Sequence, residues 1–207
     1  MLTRSNRHPA LLRAHDTVLV VVDMQEPFLR GVWERERVIA RANLLIKAAR
    51  PLRIPIIPTL QYEDRMGGII HEVNRTLPHD CVPFNKMSFS CMGDDAFASE
   101  LQRSGRRQVL LCGVEAHICV CQTALDMTVQ GLQVHVAADA ISARSRDSVD
   151  AGLRKMAAAG VVVSNAEMAI YEMLVEAGTP EFREILSLVK EADGHGPDEA
   201  HAKFSIA

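Results

Sequence analysis

Short runs of apolar, often β-branched residues alternate with longer segments of helical periodicity along almost the whole chain. Six runs are predicted to be strands: 17–22, 55–60, 81–84, 107–112, 132–138 and 160–163. Six other segments are predicted to be helices: 34–52, 95–104, 117–130, 145–159, 167–175 and 180–191. Because apolar strands joined by helices form parallel sheets covered on both faces, the pattern predicts an α/β fold, a three-layer α/β/α sandwich with a six-stranded, mainly parallel sheet.

The length and patterning favour a single folded unit. The chain has 207 residues, enough for one substantial core, and no linker-like stretch divides its middle. We predict one domain over residues 1–193, followed by a polar, glycine-containing tail over residues 194–207.

Composition and charge narrow the class of protein. Hydrophobic residues make up 48% of the chain and charged residues 24%, as in ordinary soluble proteins. The net charge of −3 argues against a broad nucleic-acid surface, which needs concentrated positive charge. The longest apolar run near the start, 18–22, is too short to cross a bilayer, and five irregularly spaced cysteines make a poor disulfide framework. We therefore expect a cytoplasmic protein with no membrane or nucleic-acid partner.

Three polar positions follow predicted strands, where ligands bind in open α/β sheets. Asp23 follows the first strand, Lys86 the third, and the segment 113–119 the fourth. Two of them have ordinary alternatives: Asp23 as a turn or capping aspartate, and Lys86 as a surface lysine whose stem covers apolar residues. The functional interpretation makes Asp23 a buried carboxylate and Lys86 the positive charge that stabilises it.

Cys119 is the most informative of the cysteines. It lies in the first turn of the predicted helix 117–130, where free backbone N–H groups and the helix dipole favour an anion. We therefore expect a lowered pKa for its thiol and nearby N–H groups able to stabilise an oxyanion. The alternative is a small buried cysteine under the helix, which suits Cys112 and Cys121 well. His117 is more typical of a helix start than of a general base, although its nearness to Cys119 keeps that role open.

Three segments together resemble the isochorismatase-like cysteine hydrolases, a family that includes nicotinamidases, N-carbamoylsarcosine amidases and isochorismatases. They are Val-Val-Asp-Met-Gln at 21–25, the Lys86 segment at 84–90 and Gly-Val-Glu-Ala-His-Ile-Cys at 113–119. The continuation of the third segment to Leu125, with Val-His-Val-Ala-Ala-Asp-Ala at 134–140, is most similar to the branch called isochorismatase domain-containing proteins. The likeness covers about residues 12–190 and implies the Rossmann-like sheet of that family.

The resemblance implies a catalytic triad of Asp23, Lys86 and Cys119. It also implies an activity, namely hydrolysis of a small amide, carbamoyl or related C–N bond through a thioester on Cys119, without a cofactor. The substrate would be a small molecule, and the protein a homodimer or larger homo-oligomer.

The resemblance further describes the turn that precedes Cys119. It implies a cis peptide bond between Val114 and Glu115, and an oxyanion hole formed by the N–H groups of Ala116 and Cys119. Five residues that follow the relevant strands are expected as substrate neighbours: Gln25, Phe28, Gln61, Tyr62 and Met87.

Departures from the family pattern are as informative as the matches. Nicotinamidases place an aspartate and two histidines on a metal shortly after the second strand, whereas the stretch 60–68 of this chain has no histidine. His71 and His79 lie further along the chain than the stretch where nicotinamidases place their metal ligands, so we expect a site without a metal. True isochorismatases often lack the nucleophilic cysteine, so Cys119 argues against isochorismate as substrate. Two alternatives stay open: a metal-assisted, nicotinamidase-like amidase, and a non-catalytic binding module.

Overall fold

The computed structural model describes residues 7–192, which form a six-stranded sheet with every neighbouring pair parallel. The strands are β1 (Thr17–Val22), β2 (Ile56–Gln61), β3 (Phe84–Lys86), β4 (Gln108–Val114), β5 (Gln133–Ser142) and β6 (Val162–Ser164). Their order across the sheet is β3-β2-β1-β4-β5-β6. The order reverses between β1 and β4, which opens a crevice at the carboxyl ends of these two central strands.

Helices cover both faces of the sheet. In chain order they are α1 (Glu26–Leu29), α2 (Arg35–Leu52), α3 (Glu63–Met66), α4 (His71–Asn74), α5 (Asp95–Arg103), α6 (Cys121–Val129), α7 (Arg146–Ala158), α8 (Ala166–Leu174) and α9 (Pro180–Ala192). Buried residues of α2, α8 and α9 form the core on one face, and those of α5, α6 and α7 form the core on the other. The predicted three-layer α/β/α sandwich is confirmed.

Residues 18–22 of β1 are all apolar, which follows from this layering. Leu19 and Val21 pack into one core, while Val18, Val20 and Val22 pack into the other. A strand covered on both faces needs apolar residues at every position, which explains why its sequence is a continuous run and does not alternate.

The third strand lies later in the chain than its predicted position at 81–84. Cys81 N donates to Pro78 O in a turn, and Pro83 has no N–H to offer a ladder. The strand begins at Phe84 and pairs Lys86 with Gln61 of β2. Lys86 is therefore the last residue of an edge strand.

The fourth and fifth strands are longer than predicted. β4 continues past Cys112 because Gly113 adopts φ +114°, and a Cβ there would lie 2.1 Å from Val22 O. Its last residue is Val114, and the register between β4 and β5 shifts beside Gly113. That shift lets β5 extend to Ser142.

Several short elements show no hydrophobic periodicity from which the sequence could predict them. The helices α1, α3 and α4 have four residues each, and a 3₁₀ turn spans Cys91–Gly93. A single turn is too short to show a hydrophobic period. The predicted helix 117–130 also divides, into a π-helical segment at Ala116–Val120 and α6.

The predicted tail at 194–207 lies outside the described residues, so the domain boundary at 193 stays a prediction. In the part of the chain that is described, no helix is both long and apolar enough to cross a membrane. All five cysteines are free thiols.

Candidate active site

Asp23 and Lys86 meet behind the crevice, although their strands are not neighbours. Lys86 Nζ reaches across the end of β2 to lie 2.7 Å from Asp23 Oδ2. The side chains are 0% and 1% exposed, respectively. Neither ordinary alternative holds, since Asp23 does not cap a helix through its side chain and Lys86 does not lie on the surface.

Four oxygens surround the Lys86 ammonium. Besides Asp23, it donates to Gln61 Oε1 at 2.6 Å and to the carbonyls of Ser88 and Phe89 at 3.3 and 3.2 Å. A buried cation is costly unless its donors are all satisfied, and here they are. The charge of Lys86 is therefore fixed in place beside Asp23.

Thr59 holds the other oxygen of Asp23. Its hydroxyl donates to Asp23 Oδ1 at 2.7 Å and accepts from the backbone N–H of Asp23 at 3.3 Å. Asp23 itself has a left-handed backbone, with φ +49°, a conformation that aspartate tolerates better than most residues. Lys86 and Thr59 thus fix both oxygens of one carboxylate.

Cys119 lies within the π-helical segment, one residue before its end, and is 8% exposed. The pKa of its thiol is raised to about 12, chiefly by burial and also by the negative charge of Asp23, which together outweigh the lowering effect of Lys86. The expected lowering of this pKa is wrong. The helix start was identified from the sequence, but burial and the facing carboxylate outweigh it, so the resting group is a neutral thiol that needs a base.

The turn before Cys119 has an irregular backbone. The peptide bond between Val114 and Glu115 is cis, as the resemblance implied. Glu115 O accepts from the N–H groups of Ile118 and Val120, at 3.1 and 3.3 Å. A Cβ at Gly152 of α7 would lie 2.9 Å from Ala116 O, so α7 packs directly against this turn.

A small cavity of about 60 Å³ opens onto the Cys119 thiol. Its apolar wall consists of Phe28, Phe89, Val114 and Ile118. Its polar groups belong to Asp23, Gln61, Glu115 and Cys119. The nucleophile candidate and the carboxylate therefore face one space, while Lys86 and Thr59 stand behind it.

Two of the five expected substrate neighbours, Phe28 and Gln61, line this cavity, and the other three do not. The Gln25 amide is fully used in joining loops, since its Nε2 donates to Gln61 O and Gly67 O and its Oε1 accepts from Gln61 N. The Met87 side chain is exposed to solvent. Tyr62 starts α3 and is half-buried outside the cavity.

Sequence reasoning missed Phe89 and Ile118 as wall residues and Thr59 as the partner of Asp23. Ile118 directly precedes Cys119, which could have indicated it. Phe89 and Thr59 carry no comparable signal, because a phenylalanine in a loop and a threonine in a strand are both ordinary.

His117 is poorly placed to act as a base on Cys119. Its Nδ1 lies 4.0 Å from Glu115 Oε2, on a side chain that is absent from the cavity lining. Glu115 also pairs with Arg144 at 3.2 Å. Over residues 7–192, no cluster of three or more histidine, cysteine or acidic side chains is arranged to hold a metal ion.

Comparison with known proteins identifies the relatives of this fold. Residues 17–168 match the family model described as the isochorismatase domain. The chain belongs to the isochorismatase family. Among its relatives in this family, the secreted isochorismatase effector Isc1 of Phytophthora sojae (strain P6497) is 34% identical over 198 residues, 92% of each chain. Isochorismatase domain-containing protein 2 of Homo sapiens is 36% identical over 176 residues, 84% of this chain and 83% of that protein.

A solved structure of the same isochorismatase fold is the MAR1 ribonuclease from Caenorhabditis elegans. It is 32% identical and superposes with a TM-score of 0.81, over 86% of this chain and 92% of that one. The predicted family and its isochorismatase domain-containing branch are confirmed. Because one relative is named as a secreted effector, the cytoplasmic location stays a prediction.

Proposed function

We propose that the protein is a metal-independent cysteine hydrolase that cleaves a C–N bond of a small amide or carbamoyl compound. Asp23, Lys86 and Cys119 are its catalytic residues. The observation that carries the proposal is the shared cavity: a neutral Cys119 thiol faces Asp23, whose two oxygens are held by Lys86 and Thr59.

The first step follows from the raised pKa of Cys119. Asp23 takes the thiol proton as the sulfur attacks the substrate carbonyl, so the thiolate does not exist free in the resting enzyme. Lys86, which donates to Asp23 Oδ2 at 2.7 Å, stabilises the negative charge that Asp23 and Cys119 share. The C–S bond forms, and the carbonyl oxygen becomes an oxyanion.

The remaining steps form and hydrolyse the thioester and return Asp23 and Cys119 to their starting protonation states. The N–H groups of Ala116 and Cys119 are proposed to stabilise the oxyanion at the turn. As the tetrahedral intermediate collapses, the C–N bond breaks and Asp23 gives its proton to the leaving nitrogen. Asp23 then accepts a proton from a water molecule as its oxygen attacks the thioester carbonyl. The C–S bond breaks, the acid product leaves, and Asp23 returns the proton to the Cys119 sulfur.

The cavity restricts the class of substrate. About 60 Å³ admits only a few non-hydrogen atoms beside the thiol. Four of the residues that line the cavity are apolar, and the carboxylates of Asp23 and Glu115 are already paired with cations outside it. No cationic side chain is among the described lining residues, so nothing there would bind an anionic substrate group. A small neutral amide or carbamoyl compound with a short apolar group fits these walls.

These walls also bear on the alternatives. The name of the C. elegans relative raises ribonuclease activity, but a phosphodiester is anionic, and no cationic side chain is among the described residues that line the cavity. A non-catalytic binding module would not require a buried Lys86–Asp23 pair beside a thiol. The metal-assisted amidase is separated from our proposal by whether chelators reduce turnover.

The test is a screen of short aliphatic amides, carbamoyl compounds and esters, with release of ammonia or amine (of alcohol for the esters) as the readout. Wild type, Cys119→Ser and a matched Cys121→Ser control are compared, because Cys121 lies two residues away and lines no part of the cavity. We expect turnover in wild type and Cys121→Ser, unaffected by EDTA, and none in Cys119→Ser. Turnover that survives in Cys119→Ser would refute the assignment.

A further inference from the structure

A second, larger concavity lies at the end of the sheet opposite Cys119, beside the amino ends of the strands. We call it the arginine groove; its volume is about 560 Å³. It is lined by the segment just before β1, by Arg53 before β2, by Arg106 before β4, and by the end of α8. The active-site cavity lies at the carboxyl ends of the strands and this groove at their amino ends, so the two share no lining residue.

The lining of the groove is positively charged, although the protein as a whole is negatively charged. Its lining includes four arginines (Arg7, Arg13, Arg53 and Arg106) and His15, against a single acidic residue, Glu181. The whole chain carries a net charge of −3. A concentration of positive charge in a concave surface raises the local concentration of anions.

Three of these arginines lack the partners that partly buried arginines have elsewhere. Arg7, Arg13 and Arg106 are half-buried, and no carboxylate within residues 7–192 forms an ion pair with any of them. The other half-buried arginines of the described chain each pair with an acidic residue: Arg35, Arg37 and Arg41. The three unneutralised ones all lie in this groove.

Backbone carbonyl groups orient the guanidinium groups of Arg7, Arg13 and Arg106, and some of their N–H donors stay unused. Arg7 donates to Leu12 O and Glu172 O at 3.3 and 2.7 Å, and Arg106 donates to Ala14 O at 3.1 Å. Arg13 donates to Arg7 O at 3.4 Å. A guanidinium has five N–H donors, so each retains several for a ligand, and carbonyl oxygens leave its full charge uncompensated.

Arg53 adds an unusual backbone. It ends α2 with φ +55°, in the left-handed region where glycine is the common residue at a helix end. Among residues 7–192 no side-chain hydrogen bond or ion pair of Arg53 is present, and its side chain is exposed at the groove. It is therefore free to close on a bound anion.

The other wall of the groove is apolar. Leu52, Met173 and Leu174 are buried side chains that line it, beside Pro51 and Val175. A volume of about 560 Å³ matches the range of small-molecule sites, about 300 to 1,000 Å³. One wall therefore suits an anionic group and the other a hydrophobic body.

We propose that the arginine groove binds a small organic phosphate, with its phosphate against Arg7, Arg13, Arg53 and Arg106 and its apolar part against Leu52 and Met173. Arginine forms bidentate, charge-assisted hydrogen bonds to phosphate oxygens, and several converging arginines suit a dianion better than a single carboxylate. The arginines converge on one groove and form no extended basic track of the kind that a nucleic-acid strand requires, which favours a small molecule.

The test measures binding of 1-naphthyl phosphate to the full chain by isothermal titration calorimetry, with 1-naphthoate and a ten-nucleotide single-stranded RNA as comparison probes. We expect 1-naphthyl phosphate to bind more tightly than 1-naphthoate, and its binding to weaken as salt is raised. Arg53→Gln and Arg106→Gln are each expected to weaken binding about tenfold, the typical effect of one charge-assisted contact.

Controls separate the groove from the fold and from the active site. Arg154→Gln removes an exposed arginine on α7 that is unpaired within the described chain, and it should leave binding unchanged. Cys119→Ala should also leave it unchanged. Because Arg106 also donates to Ala14 O, Arg53→Gln is the variant free of structural hydrogen bonds, and its melting temperature should match wild type.

Three results would overturn the proposal. They are no measurable binding of 1-naphthyl phosphate, equal binding by wild type and the folded Arg53→Gln variant, and tight binding of RNA in the absence of naphthyl phosphate binding.

Discussion

The ammonium of Lys86 lies 2.7 Å from the carboxylate of Asp23, and both side chains are withdrawn from solvent. Lys86 ends an edge strand and Asp23 follows a central one, so the pair spans the end of β2. Removing one member of a buried ion pair leaves the other charge without compensation, which is more damaging than removing both.

That asymmetry leads to a prediction for Lys86→Met. The free energy of unfolding in urea should fall by about 3 to 5 kcal/mol, the usual cost of stranding a buried charge. The double variant Asp23→Leu/Lys86→Met should recover much of this stability while remaining inactive. A single variant as stable as wild type would show that the pair is not electrostatically important.

A prediction for Thr59 concerns positioning. Thr59→Val removes the hydroxyl that donates to Asp23 Oδ1 at 2.7 Å, so the carboxylate is free to turn away from the Cys119 thiol. We expect kcat to fall about tenfold to a hundredfold with KM little changed, because misplacing a catalytic group has costs of that order. Thr59→Ser should restore the rate; if it does not, the methyl group and not the hydroxyl matters.

Substitution of Asp23 is predicted to make the Cys119 thiol more acidic and at the same time to abolish catalysis. Burial is the largest cause of the raised pKa of the Cys119 thiol; the charge of Asp23 raises it further, and that of Lys86 lowers it. Asp23→Asn removes the effect of the Asp23 charge and keeps that of Lys86, so the pKa falls from about 12 and the thiolate fraction at neutral pH rises. Alkylation of Cys119 by iodoacetamide at pH 7 should therefore accelerate in Asp23→Asn, although amide turnover is lost.

Mass mapping of the alkylated peptides provides the readout, with Cys119→Ala to define the background from the four other thiols. Lys86→Met should have the opposite effect on alkylation and slow it. If alkylation and turnover fell together in Asp23→Asn, the carboxylate would not be acting on the thiol in the way described.

The position of Cys119 illustrates what sequence could and could not predict. Its motif and its place after a central strand were sufficient to select it as the candidate nucleophile. The pKa of its thiol was not predictable, since it depends on burial and on a facing carboxylate nearly a hundred residues away in the chain. Thr59 was missed for a similar reason, because only the sheet register brings its hydroxyl to Asp23.

The fold was more accessible than the site. Continuous apolar runs such as β1 define buried strands, and six of them were enough to predict the layers. The edge strand β3 was misplaced by a few residues because three residues carry little pattern. The arginine groove could not be predicted from the sequence, because its arginines are far apart in the chain. Each of Arg7, Arg53 and Arg106 alone resembles an ordinary surface arginine.

A buried histidine predicts sensitivity to acid. His135 on β5 is 0% exposed, both of its ring nitrogens lack a hydrogen-bond partner in the described chain, and burial lowers its pKa from 6.5 to about 4. As the pH falls through this window, the unfolded chain binds a proton that the native state does not, so the free energy of unfolding decreases. The decrease from this residue is at most about 3 kcal/mol.

His135→Leu should therefore flatten the stability profile between pH 6.5 and 4, measured by urea unfolding at each pH. His79→Leu changes an exposed histidine and serves as the matched control, which should keep the wild-type slope. An unchanged slope in His135→Leu would assign the acid sensitivity to other groups.

The most direct test of the account is intact-protein mass spectrometry of the acyl intermediate, after rapid acid quench with the best amide or ester from the screen. We predict a mass increase equal to the acyl group, located on Cys119 and absent from Cys119→Ser. An acyl group on another residue, or turnover in Cys119→Ser without any adduct, would contradict the assignment of Cys119 as the nucleophile.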